Sequence, residues 1–179
     1  MTKKVLILSA SPRKGGNSDL LCDQFMRGAK EAGNQVEKIF LRDKKINYCI
    51  GCDTCQENGG KCVWKDDMAE ILAKMTAADV IVTATPVYFY AMNAQMKTLI
   101  DRTCSRYTEL NDKDFYFIVA AADSSKQAMA RPLEGLRAFI SCLRGAKEKG
   151  IVYGTGAWKI GDIKGSRAMT QAYEMGKKV

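Results

Sequence analysis

Residues 3–10, KKVLILSA, form an unbroken apolar run, which reads as a strand buried on both faces as in a parallel sheet. Residues 18–32 change to helical spacing, with Leu21, Phe25, Ala29 and Ala32 on one face and Gly33 placed to stop the helix. Residues 35–40, QVEKIF, predict a second short strand, and residues 79–85, DVIVTAT, a third that is buried throughout. Between them Asp67 and Glu70 have capping-box spacing for a helix over 67–77. The pattern then predicts a helix over 91–103, a strand over 115–121, a helix over 131–146, a strand over 149–153 and a helical tail over 166–178. Strands alternating with helices argue for a parallel sheet covered on both faces, the doubly wound α/β class. No internal repeat or boundary divides the chain. The expectation is one domain over 1–179, interrupted by a long cysteine-rich insertion at about 42–66.

Composition narrows the class. A chain of 179 residues that is 46% hydrophobic and 27% charged can bury a proper core. The opening apolar run is too short to span a membrane and leads into a loop without a small-residue cleavage signal, so a cytoplasmic location without membrane association is expected. The formal charge of +8 favours anionic partners such as phosphates and nucleotides. No basic helix with interleaved base-reading residues is present, so nucleic acid is not the expected partner. The absence of histidine removes imidazole acid–base chemistry and imidazole metal ligands.

Seven cysteines change the picture further, because four of them fall in one stretch, Cys49-x2-Cys52-x2-Cys55-x6-Cys62. In a reducing compartment such a run reads as metal-binding or redox-active rather than as disulfides. Three thiolates on one tight loop and a fourth after Gly59-Gly60 can wrap an iron–sulfur cube, and four thiolates can also hold zinc. Free thiols with nothing bound are the third reading. Cys22, Cys104 and Cys142 lie in helical patterns and read as small buried hydrophobes.

The loop after the first strand, SPRKGGNS at 11–18, stands where a doubly wound fold binds its ligand. It is neither G-x-G-x-x-G nor a P-loop. Instead it offers the hydroxyls of Ser11 and Ser18 (with Ser9 just before), Asn17, the cations Arg13 and Lys14, and the N–H groups of a helix start, all suited to phosphate oxygens. After the third strand, Pro86 fixes a turn, and Tyr88, Phe89 and Tyr90 present ring faces for a flat aromatic ligand or for packing.

SASPRKGGNS after the first strand and TPVYFYAMNAQMKTLIDR after the third resemble the flavodoxin-like NAD(P)H-dependent FMN reductases, and CIGCDTC…C narrows the likeness to their iron–sulfur flavoprotein branch. The resemblance implies five parallel strands in the order 2-1-3-4-5, FMN as cofactor, NAD(P)H as co-substrate, and a homodimer or homotetramer. It implies that Ser9, Ser11, Arg13, Asn17 and Ser18 cradle the FMN phosphate. Pro86, Val87, Tyr88 and Phe89 would meet the isoalloxazine, with Ala122, Asp123 and Ser124 as a third contact. Cys49, Cys52, Cys55 and Cys62 would ligate a 4Fe–4S cluster. No catalytic side chain is required, because the flavin performs the hydride chemistry.

The reading is an FMN-dependent oxidoreductase that passes electrons from NAD(P)H or a protein donor to a quinone, flavin, nitro or azo compound. The alternatives are a non-enzymatic iron–sulfur flavoprotein electron carrier and a zinc- or thiol-based redox sensor without flavin. The segment GTGAWKIGDIKG, residues 154–165, carries Trp158 and Ile160 among glycines and is expected to pack on a neighbouring subunit or beside the flavin.

Overall fold

The computed structural model describes residues 2–179. Strands β1 (Lys4–Ser9), β2 (Gln35–Phe40), β3 (Val80–Tyr88), β5 (Asp114–Ala120) and β6 (Lys147–Gly154) form a parallel sheet in the order β2-β1-β3-β5-β6. A two-residue strand, β4 (Ala91–Met92), turns back antiparallel on the end of β3, with Tyr88 opposite Ala91 and Val87 opposite Met92. Set β4 aside and the five parallel strands run 2-1-3-4-5, as expected. The helices are α1 (Asn17–Glu31), α2 (Thr54–Glu57), α3 (Met68–Ala77), α4 (Ala94–Arg102), α5 (Ala130–Ser141) and α6 (Arg167–Lys177).

The period of two along β1 divides the core. Leu6 and Leu8 face α3, α4 and α5, where they meet Met75, Met96, Leu99, Leu133 and Leu136. Val5 and Ile7 face α1 and α6, where they meet Leu21, Phe25, Ala168 and Ala172. Phe25 is fully buried with its ring edge-on to Tyr116 at 5.1 Å, so truncation to Ala would cost about 3–5 kcal/mol. Helix α6 approaches α1 closely because both present glycine at the crossing. A Cβ on Gly28 would lie 2.1 Å from the Tyr173 carbonyl oxygen, and one on Gly176 would lie 2.1 Å from that of Phe25. Among the described residues no helix is long and apolar enough to cross a membrane.

Four expectations change. The helix expected over 131–146 spans Ala130–Ser141 and ends five residues early. The helix expected over 91–103 begins only at Ala94, because residues 88–92 form the β3–β4 hairpin. Asp67 does not cap α3 with its side chain. It accepts the N–H of Lys45 at 2.7 Å, while Asp66 accepts that of Met68 at 3.2 Å. Of the three cysteines expected in the core only Cys22 is buried; Cys104 and Cys142 are exposed, since each falls just past the last turn of its helix.

Candidate functional site

The carboxyl ends of β1, β3 and β5 open on a cavity of about 310 Å³, within the ~300–1,000 Å³ of small-molecule sites. Ser11, Arg13, Gly16, Asn17 and Ser18 line one side of it, and Pro86, Val87, Tyr88 and Phe89 the other. Ala120, Ala122 and the 157–158 segment complete the wall. Most of the residues singled out in the sequence therefore converge. Ser9 does not line the cavity: it is fully buried beneath the loop, donating to Asp19 at 3.1 Å. Asp123 lines a neighbouring cleft and accepts the Ser125 N–H at 2.7 Å, while Ser124 lines neither.

The loop is shaped for close approach. Gly15 takes φ +66, and a Cβ on Gly16 would fall 2.3 Å from Ser11 Oγ, so the loop can fold back on Ser11 this tightly only with glycine there. Ser11 Oγ donates to the Arg13 carbonyl at 3.0 Å and accepts the Arg13 N–H at 3.2 Å, closing the turn. Ser18 Oγ is buried on the cavity wall with no hydrogen-bond partner. A buried orphan hydroxyl beside the first N–H groups of a helix suits an anionic oxygen.

Asn17 does something its sequence position did not announce. Its Nδ2 donates to the carbonyls of Ala157 (3.2 Å) and Lys159 (2.9 Å), and its Oδ1 accepts the N–H groups of Gly161 (3.1 Å) and Ile163 (3.3 Å). Arg13 Nη1 donates to the Trp158 carbonyl at 3.0 Å. Together they fasten the 157–163 segment over the loop, leaving the Trp158 ring 70% exposed at the cavity rim. Across the cavity Phe89 and Tyr90 both hold positive φ, 50° and 59°, at the hairpin tip, and the Phe89 side chain stands fully in solvent.

The cysteine segment forms a separate site. Asp66 anchors its far end. The carboxylate takes both terminal nitrogens of the buried Arg102, at 2.7 and 3.0 Å, and the Asn47 N–H at 2.9 Å. Burial raises the Asp66 pKa, but Arg102 and the N–H groups of Asn47 and Met68 outweigh it and hold the carboxyl at about 2. Cys49 and Cys52 are exposed, and Cys55 and Cys62 are half-buried. Cys55 Sγ shares the Gln56 amide with Cys104 Sγ, each at 3.8 Å, whereas Cys62 faces Arg102. Among the described residues no three Cys, Asp or Glu side chains gather as a metal-binding group. As placed, Cys49, Cys52, Cys55 and Cys62 do not fit a common four-thiolate centre.

The profile of the NADPH-dependent FMN reductase family matches residues 3–158. The chain belongs to this family. Its fold is that of a Bacillus anthracis azoreductase (TM-score 0.77, 19% identity, all of both chains) and of an FMN-dependent NADH-azoreductase from the same species in complex with FMN (TM-score 0.75, 19% identity, 99% of each chain). It is 47% identical over 100 residues to an iron-sulfur flavoprotein of Methanocaldococcus jannaschii, covering 56% of this chain and 51% of that one. It is 42% identical over 99 residues to an iron-sulfur flavoprotein of Archaeoglobus fulgidus, covering 55% of this chain and 44% of that one. The chain thus spans about half the length of these relatives.

FMN is the cofactor the family's description names. The orphan hydroxyl of Ser18 at the start of α1 and the aromatic residues Tyr88 and Phe89 on the opposite wall fit its phosphate and its flat ring.

Proposed function

We propose that this chain is an FMN-dependent oxidoreductase that takes electrons from NAD(P)H or a protein donor and delivers them to a small acceptor such as a quinone, flavin, nitro or azo compound. The observation that carries this reading is the convergence of the 11–18 loop and Pro86–Phe89 on one cavity, with a phosphate-like cradle at one end and aromatic surface at the other.

In this reading Ser11, Ser18 and the N–H groups at the start of α1 hold the FMN phosphate, and Arg13 adds positive charge. Asn17 acts through the 157–163 segment, which it fastens over the loop. Pro86–Phe89 and Ala122 flank the ring. Bound FMN supplies hydride acceptance and electron release, so no acid or base from the chain is needed.

The exposed rim of Tyr88, Phe89, Tyr90, Trp158 and Ile160 supports assembly as a homodimer or homotetramer, since so much clustered apolar surface is costly to leave in water. Light scattering at micromolar concentration reads that state directly.

The activity test is direct. Protein purified with FMN should oxidise NADPH or NADH when a quinone is supplied and should lose this activity when stripped of flavin. Failure of both nucleotides with every acceptor class contradicts NAD(P)H as the electron donor. A second reading, an electron-carrying iron–sulfur flavoprotein, is favoured by relatives of that name at 42–47% identity. It requires residues 48–62 to close around a cluster, drawing Cys62 away from Arg102. Anaerobic reconstitution should then load about four irons per chain.

A further inference from the structure

Beneath the phosphate-like loop lies a buried charged network that the functional reading has not used. Asp19, on the first turn of α1, is 3% exposed. One carboxylate oxygen accepts Ser9 Oγ at 3.1 Å and Lys38 Nζ at 3.0 Å. The other accepts the Gly15 N–H at 3.2 Å and lies 3.7 Å from Arg42 Nη1. Arg42 also donates to the Arg13 carbonyl at 3.4 Å, and Lys38 bonds Asp23 as well. Both cations lie over the Phe40 ring, at 4.3 and 4.4 Å. Two strands and the loop are therefore tied to a single carboxylate.

A negative charge below an anion site needs a reason. Left alone it would repel phosphate. Here the Lys38 ammonium, shared with Asp23, and the Arg42 guanidinium, shared with Asp43 at 3.4 Å, offset it, and its two acceptor oxygens fix Gly15 in its left-handed turn and hold Ser9 under the loop. Burial lowers the Lys38 pKa, but its bonds to Asp23 and Asp19 outweigh that and raise it, so the neutralising charge is retained.

We infer that Asp19 is a positioning residue for phosphate recognition: with Lys38 and Arg42 it sets the shape of the 11–16 loop so that its N–H groups and hydroxyls converge on a phosphate. This inference rests on the FMN reading above. It differs from a general folding role in one respect: it concerns the phosphate end of the cavity and not the ring end.

FMN and riboflavin separate the two, because riboflavin lacks the phosphate. Apoprotein of the native chain and of D19N is titrated with each flavin. Native protein should prefer FMN. D19N should bind FMN at least about tenfold more weakly, the loss of one charged hydrogen bond's worth, with riboflavin affinity within about twofold of native. FMN binding by D19N that equals or exceeds native would overturn the inference, since Asp19 would then act as a mere repulsive charge. Equal loss of both flavins would also overturn it, as a purely structural effect. Should D19N not accumulate, D19E keeps the charge and displaces the carboxylate from Gly15 and Ser9. It should weaken FMN selectively, and an unselective loss or no loss overturns the inference. Native protein that binds neither flavin overturns the FMN reading and this one with it. Native preference for FMN that persists unchanged in D19N overturns only the role of Asp19.

Discussion

Asn17 Nδ2, on the first turn of α1, donates to the carbonyl of Lys159 at 2.9 Å across 142 residues of chain. With its three companion bonds this makes Asn17 a latch, joining the loop after β1 to the segment after β6. Ser18, next in sequence, has a buried hydroxyl that bonds nothing in the protein.

The two neighbours should respond oppositely to truncation. N17A removes four bonds, two of them fully buried, and should cost about 2–4 kcal/mol in urea denaturation. S18A should leave stability within about 0.5 kcal/mol of native, because no protein partner loses a bond. In flavin titrations S18A should still weaken FMN. Equal destabilisation by both variants would contradict the assignment.

The hairpin tip stores strain. Phe89 and Tyr90 hold φ near the left-handed region, which costs a non-glycine residue about 1–2 kcal/mol. F89G should therefore raise stability by about 1 kcal/mol, since the Phe89 ring is fully exposed and loses no packing. The same variant should bind flavin less tightly, because Phe89 lines the cavity. A calorimetric midpoint below that of the native protein would refute the strain argument.

Acid should release the cysteine segment. The Asp66 carboxyl is held at about 2, below its ordinary value of 3.8, so the unfolded state takes up the proton first as pH falls. Its contribution, about 2 kcal/mol, is fully present above pH 4 and is lost between about pH 4 and pH 2. D66N should flatten that part of the stability–pH curve and lower stability at neutral pH. An unchanged acid limb in D66N would contradict the role of the Arg102 pair.

What was legible in the chain was the periodicity. β2 occupies the expected 35–40, and β1, α1, α3 and α6 fall within a residue or two of expectation, because each buries one regular apolar face. The β3–β4 hairpin was not legible. Tyr88–Met92 has neither Gly nor Asn at its tip, and its left-handed residues are aromatics, which no turn signal announces. Asn17 carried a correct position and a partial role. A Ser/Asn-rich loop announces polar chemistry, but its partners lie 140 and more residues away. Asp19 and Lys38 drew no attention because charged residues in a helix and a strand read as solvated faces. The cysteine spacing was plain, yet spacing alone does not show Cys104 beside Cys55 or Cys62 facing Arg102.

The most direct test of the whole account uses the chain's two tryptophans. Trp158 lines the proposed FMN cavity, while Trp64 lies on the cysteine segment, at a different cavity. W64F protein, stripped of flavin, is titrated with FMN while its remaining tryptophan emission is followed. FMN seated against residues 11–18 and 86–89 should quench Trp158 in a saturable curve that ends at one FMN per chain. Saturable FMN binding that leaves Trp158 emission unchanged, or no binding at all, would contradict the site and the function built on it.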